Sequence, residues 1–269
     1  MKNKVIKNLV LGSSGFVGRP LCNYLESEGE EVVTFDIKES QDMDARFETL
    51  SLEDIDRVYF LAWEVGGAKY LYKDNIQQRQ LDWNLQLMLN VMPQLAQTET
   101  PFLFVSSQLA EETDTAYGVT KRLGEVWTNI LSGVKVRLWN VYGGHEETSE
   151  RSHVVADFVW QALQNGKIEM LTTGEERRQF IHIDDVCRGF HRAMEISAPD
   201  IYDISSFEWV RVREVAEIIG DLTGADVVPG KTVGRTPITP IKGKLPGWEA
   251  SISLRDGLAM MIDNYRKNM

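Results

Sequence analysis

The chain has 269 residues, 43% of them hydrophobic and 26% charged, which suits one or two folded domains with a full-sized core. A net charge of −11 and a sequence pI near 5.0 argue against nucleic acid or an anionic membrane as the main partner, so an anionic substrate must be met by local Lys or Arg. Two distant cysteines (Cys22, Cys187) and four histidines (His145, His153, His182, His191) without metal-ligand spacing point to a reduced, cytoplasmic chain with no disulfide and no metal.

The opening "MKNKVIKNLVLGSSG" carries too short an apolar run for a signal peptide, and no later stretch approaches the length of a membrane span. Instead, short apolar runs alternate with longer amphipathic ones. "VIKNLVLG", "EVVTFD", "RVYFLA", "FLFVSS" and "VKVRLWN" read as strands. Their nearly continuous Val, Leu and Phe are what strands buried on both faces need. Helices are predicted over 16–27, 76–97 and 117–131. The alternation predicts an α/β fold, a Rossmann-type doubly wound parallel sheet over residues 1–141. Beyond it the pattern loosens. A helix over 153–165 closes at "NG", a strand follows at "IEML", and "RRQFIHIDDVCRGFHRAME" leads to a strand "IYDIS" and a helix over 211–223. "KTVGRTPITPIKGKLPGW" reads as loop, and a helix over 253–267 ends the chain. Residues 142–179 and 198–269 are expected to form a smaller substrate-binding lobe, with 180–197 passing back through the first.

In "LVLGSSGFVGRPL", Gly12, Gly15 and Gly18 lie between the first strand and the first helix. Gly12 allows a tight turn, Gly15 lets a pyrophosphate approach the backbone, and Gly18 permits close helix–strand packing. Free N–H groups of the helix N-terminus then face the phosphates. Taken alone, the triplet fits any strand–turn–helix equally well. The second strand, however, ends at Asp36, eighteen residues past Gly18. A carboxylate there accepts from both adenosine ribose hydroxyls and repels a 2′-phosphate. No Arg stands directly beside it, so NAD is expected rather than NADP. Ser14, Phe16, Val17 and Ile37 are expected to touch the same dinucleotide.

"FLFVSSQ" ends a strand in Ser106 and Ser107, at the edge where an open parallel sheet binds ligands. Ten residues past Ser107, "AYGVTKRLGE" opens a helix with Tyr117 and Lys121 on one face. If that face looks into the crevice, the charge of Lys121 lowers the phenol's pKa and the phenolate takes a hydroxyl proton as hydride leaves. Ser107 would bond the same oxygen, and Lys121 would also hold the nicotinamide ribose. A Tyr–Lys pair alone is more often plain helix surface. The order of glycine loop, acid, Ser and Tyr-x-x-x-Lys is what argues for chemistry.

These motifs resemble the extended short-chain dehydrogenase/reductase superfamily, in its nucleotide-sugar epimerase/dehydratase branch. "YFLAW" resembles that family's "HLAA" strand, which implies cofactor contacts at Leu61 and Ala62. Asn84 falls on an Asn of its long helix, and "RLWNVYG", "RRQFIHIDDV" and "GWEASISLRDGL" resemble further motifs in the same order. The resemblance implies Tyr117 as base, Lys121 as helper and Ser107 as third member. It implies a nucleotide-diphosphate sugar as substrate, with Arg178 gripping the diphosphate, Arg235 as a second contact, and Asn140 touching substrate. Asp42, in "DMDAR", is expected near the adenine edge. A homodimer through the helices at 76–97 and 117–131 is also implied.

Sugar 4,6-dehydratases of this superfamily carry an acid pair just after the catalytic Ser or Thr, where this chain has Gln108 and Leu109. "EVGGAKY" and "NVYGGHEETSERSHVVADFV" resemble keto-sugar 3,5-epimerase/4-reductases of the GDP-fucose synthase type, and put His153 on their catalytic histidine. Their cysteine position is Gln108 here, and Asp36 fits poorly with NADP. What remains is oxidation at C4 by NAD, leading to C4 epimerisation or release of the keto sugar. A silent NAD-binding sensor would leave the Ser/Tyr/Lys set unexplained.

Overall fold

The computed structural model describes residues 4–144, 149–198 and 200–268; His145 and the three residues after it lie outside the described residues. In chain order the first half contains β1 (Lys7–Leu11), α1 (Gly18–Ser27), β2 (Glu31–Phe35), β3 (Arg57–Phe60), α2 (Ala68–Leu71), α3 (Asp74–Thr98), β4 (Phe102–Ser107), α4 (Ala116–Ile130), β5 (Val134–Leu138) and β6 (Asn140–Tyr142). The second half contains α5 (Val154–Asn165), β7 (Lys167–Glu169), β8 (Arg177–Arg178), β9 (Phe180–His182), α6 (Ile183–Glu195), β10 (Ile201–Ile204), β11 (Val210–Arg211), α7 (Val212–Thr223), β12 (Asp226–Val228) and α8 (Leu254–Asn268).

Six strands form one parallel sheet in the order β10-β5-β4-β3-β1-β2. Alternate side chains leave a strand on opposite faces, so each apolar run feeds two cores. Val10, Tyr59, Leu103 and Val105 meet α1 and α6 on one face. Leu9, Leu11, Phe60, Phe102 and Phe104 join the core under α3 on the other. Cys22 and Cys187 are free, buried thiols in the first of these cores. A separate core, with Val159, Val215, Ile219, Leu258 and Met261, holds α5, α7 and α8 together over the parallel pair β7–β12.

The sheet differs from the sequence reading in two ways. "VKVRLWN" is not one strand. It breaks at Trp139, after which β6 pairs with β9 instead of the large sheet. The sixth strand is Ile201–Ile204, from the segment expected wholly in the second lobe. It runs parallel to β5, with Ile201 opposite Lys135 and Ile204 opposite Leu138. Asp203, fully buried in β10, accepts the Trp139 indole N–H at 2.8 Å and the Gly243 N–H at 3.2 Å. That polar anchor fastens β10 to Trp139, at the end of β5, and to the loop at Gly243. Among the described residues no helix is long and apolar enough to cross a membrane, and no His, Cys, Asp and Glu group is placed to hold a metal.

Candidate active site

At the carboxyl ends of the sheet strands, residues of both halves enclose a cavity of about 590 Å³. The loop after β1 forms one wall. Gly12 sits at φ +88°, and a Cβ on it would lie 2.7 Å from the Ala62 nitrogen. A Cβ on Gly18 would run into the carbonyl oxygen of Gly12. The backbone here folds so tightly that only glycine fits, which leaves a bare peptide cradle open to the cavity. Asp36, 7% exposed, accepts the Ser14 N–H at 3.0 Å and the Lys38 N–H at 2.8 Å, so its carboxylate is fixed at the loop's edge. Gly15, Phe16, Val17, Ile37, Leu61 and Ala62 share the wall. A glycine cradle beside a fixed acid fits a dinucleotide.

The catalytic candidates converge on the same cavity. Thr115 caps α4, its hydroxyl accepting the Gly118 N–H at 3.0 Å, and so sets where the helix begins. The first turn then buries Tyr117 beside the end of β4, with Lys121 one turn on. Ser107 stands near enough to the Tyr117 phenol to favour its ionised form, and it accepts the Leu109 N–H at 3.1 Å. Burial pushes the phenol up to about 12, against the lowering effect of Ser107. Lys121 shares the helix face of Tyr117, with its ammonium 5.8 Å from the centroid of the phenol ring. Its ammonium donates to the Val105 carbonyl at 2.6 Å and faces the Trp63 ring, 4.0 Å from the centroid. Burial holds Lys121 well below the usual lysine range, and nearby Glu125 only partly offsets this. Burial rather than the lysine charge governs Tyr117.

The substrate candidates divide. Asn140, His153 and Arg178 stand on the cavity wall with Ser107. Asn140 donates its amide to the Gln179 carbonyl at 3.2 Å. Arg178 donates to the Arg177 carbonyl at 2.8 Å. The His153 ring stacks on Phe16 of the glycine loop, with centroids 5.5 Å apart and planes at 27°. Gln108 is also on the wall, 5% exposed, and its buried Oε1 has no hydrogen-bond partner. Arg235 is elsewhere: its side chain is 81% exposed, 4.0 Å from Glu112, while Pro237 of the same loop reaches the wall.

Two cofactor candidates also lie off the wall. Ser14 turns its hydroxyl to Glu39 at 2.6 Å. Asp42 is exposed in the short 3-10 turn Gln41–Met43, and the neighbouring acid on the wall is Asp44, clasped by Arg46 at 2.5 Å. The turn advances the chain so that the buried acid comes two residues later. Residues missed in the sequence include Glu39, which ties Ser13 and Thr34 (each at 3.0 Å) across the glycine loop, and Glu64, Arg79 and Arg151 on the cavity wall. Glu64 lies in "EVGGAKY" and Arg151 in "NVYGGHEETSERSHVVADFV", the two stretches that resemble keto-sugar 3,5-epimerase/4-reductases, whereas no motif marks Arg79.

The NAD dependent epimerase/dehydratase family profile matches residues 8–205. GDP-L-fucose synthase 1 of Arabidopsis thaliana is 26% identical, over 100% of this chain and 96% of its own length. UDP-glucuronic acid decarboxylase 6 of the same plant is 24% identical, over 96% of this chain and 88% of its own. Among solved structures, an epimerase of Methanothermobacter thermautotrophicus superposes with a TM-score of 0.84 at 22% identity, covering 98% of this chain and 93% of that one. UDP-glucose 4-epimerase of Thermotoga maritima, crystallised with UDP-glucose, superposes with a TM-score of 0.77 at 22% identity, covering 98% and 99%.

Proposed function

The chain belongs to the NAD dependent epimerase/dehydratase family, and from that premise we propose that it oxidises the C4 hydroxyl of a nucleotide-diphosphate sugar and epimerises that carbon. One observation carries the reading: Ser107, Tyr117 and Lys121 share a cavity with the glycine loop and Arg178, while the two residues after Ser107 are an amide and an aliphatic chain. NAD, which the glycine loop and Asp36 would hold, would supply the hydride acceptor and donor for the sugar carbon. Everything else falls to side chains. Ser107 orients the C4 oxygen by hydrogen bonding. Tyr117 takes the hydroxyl proton and later gives it back to the opposite epimer. Lys121, turned from the Val105 carbonyl toward bound ligand, brings the positive charge that the buried phenol needs to ionise. Arg178 pairs with the substrate diphosphate, and Asn140 contacts the sugar.

Neither Gln108 nor Leu109 has an ionisable group to act as acid or base, which disfavours loss of water from the sugar. A second reading, 3,5-epimerisation with 4-reduction, draws on the full-length fucose synthase relative and on His153 at the wall. It is weakened by the stacking of His153 on Phe16 and by Gln108 at the cysteine position. Incubation of NAD-loaded protein with UDP-, GDP-, dTDP- and CDP-sugars in heavy water, followed by NMR, separates the cases. C4 inversion without deuterium uptake supports the proposal. Deuterium at C3 and C5 supports the second reading, an accumulating keto sugar a 4-dehydrogenase, and a 6-deoxy-4-keto product a dehydratase. Two copies are proposed to pair through α3 and α4, on which Leu89 and Ile130 stand 63% and 72% exposed.

A further inference from the structure

One charged cluster on the cavity wall takes no part in this chemistry. Glu64, just past β3, is 5% exposed. Its carboxylate meets Arg151 at 2.7 Å, Arg79 at 3.3 Å and the Tyr70 hydroxyl. Two guanidinium groups therefore share one carboxylate, and the cluster keeps one unbalanced positive charge. Arg151 also lies over the Tyr70 ring, 4.3 Å from its centroid.

The cluster joins opposite walls. Glu64 and Arg79 come from the segment after β3 and from α3, whereas Arg151 precedes α5. The Gly67 N–H donates to the Arg151 carbonyl at 2.7 Å, and a Cβ on Gly67 would collide with the Ser152 carbonyl. Lys69 pairs with Asp157, and Lys73 pairs with Glu150 at 2.7 Å. Two residues beyond Arg151, His153 stacks on Phe16 of the glycine loop. Backbone, ion pair and ring contact together tie the segment that carries Arg151 to the residues after β3 and to the glycine loop.

The charge balance says what this arrangement meets. A dinucleotide pyrophosphate brings two negative charges, and residues 12–18 offer N–H donors but no cation. Of the other wall cations, Arg46 is closed onto Asp44 and Lys121 faces the Val105 carbonyl. Lys38 adjoins the ribose-side acid Asp36, and Arg178 is assigned above to the substrate. We infer that Arg151, poised by Glu64 and Arg79, is the counter-charge for the cofactor pyrophosphate and the latch that retains the dinucleotide during turnover. The inference rests on the NAD-binding part of the proposed function. A retained cofactor is what a reaction needs if the hydrogen it removes is to return to the same sugar.

The test uses the full chain freed of nucleotide, with NAD, ADP and adenosine as calorimetric probes and NADH fluorescence for release. Arg151→Gln is expected to weaken NAD and ADP about tenfold or more, and to speed NADH release by a similar factor, while adenosine is unaffected. Arg151→Lys restores part of the ADP affinity, since the charge but not the fork is kept. Lys73→Ala, which breaks only the rim pair with Glu150, leaves all three probes unchanged. Equal weakening of ADP and adenosine, or unaltered NADH release, overturns the assignment. Should Arg151→Gln fail to fold, Arg79→Gln reads the same charge, and unchanged ADP affinity there counts against it equally. Loss of NAD retention with surviving sugar conversion leaves the C4 proposal standing. Normal retention with no sugar converted sinks the C4 proposal alone.

Discussion

Replacing Lys121 with Met is expected to stabilise the unliganded protein while removing its turnover. Lys121 is 4% exposed, and burial holds its ammonium well below the usual lysine range. Taking a charge of that kind out of water costs several kcal/mol even after relaxation. Against this stand one charge-assisted hydrogen bond, to the Val105 carbonyl at 2.6 Å, and the Trp63 face at 4.0 Å. Those contribute about 1.5–3 and about 2 kcal/mol. Replacing buried charged groups by apolar side chains of similar volume is often stabilising, by about 1–4 kcal/mol, and Met, similar in length and uncharged, is expected to show a gain toward the lower end of that range. In a chain of this size each kcal/mol raises the melting temperature by about 2–4 °C. Because the folded lysine titrates below its ordinary 10.5, wild-type stability is highest above pH 10.5 and falls as pH drops through the folded value. The advantage of Met is therefore larger at pH 7 than near pH 10 and shrinks as pH approaches 10.5. Urea unfolding without NAD, at pH 7 and again near pH 10, measures both. If Lys121→Met unfolds at the same or lower urea concentration at pH 7, the ammonium is fully compensated by its neighbours. The view that it is kept for chemistry against the interest of the fold is then wrong.

Tyr117→Phe should cut turnover by about 10²–10⁴ while NAD affinity changes little, and sugar conversion at the wild-type rate would remove Tyr117 from the mechanism. Gly18→Ala should abolish NAD binding or folding, because its Cβ meets the Gly12 carbonyl; calorimetry with NAD reads the first and circular dichroism the second. Hydrogen bonds from Lys242 and Arg137 hold the Glu111 carboxyl at about 2 against an ordinary 4.5. Its stabilisation is thus present above pH 4.5 and lost as pH falls toward 2, and acid unfolding of Glu111→Gln should show less of this loss, by about 1–2 kcal/mol after solvent screening. Leu89→Glu with Ile130→Glu should leave a monomer by light scattering if α3 and α4 pair two copies, and an unchanged mass would place the interface elsewhere.

What could be read from the sequence was what depends on local periodicity and on glycine. The runs "RVYFLA" and "FLFVSS" are apolar on both faces because helices cover both, and that leaves a mark within six residues. Gly12 and Gly18 are legible because no other residue fits their backbone. Features made by distant pairings were not legible. The Glu64–Arg151 pair joins residues 87 positions apart. Asp42 and Asp44 differ only through a three-residue 3-10 turn, whose phase no pattern reveals. Helical spacing put Tyr117 and Lys121 on one face, but which acceptor the lysine takes is set by the Val105 carbonyl and the Trp63 ring, both from other segments. Arg235 lies in a loop without periodicity, so its distance from the cavity left no trace.

The late return of β10 to the sheet bears on how the chain is made. Its partner β5 ends at Leu138, yet β10 begins only at Ile201. While the intervening residues emerge from the ribosome, β5 is an open edge whose N–H and C=O groups have no neighbour, and Trp139 waits for Asp203. A fragment ending near residue 141 would keep the glycine cradle, Ser107, Tyr117 and Lys121 and still leave that edge uncovered permanently. Such a fragment is a template for strand addition between copies, so the nucleotide-binding half is not a separable module. The edge is covered only by four residues that are synthesised some sixty positions later.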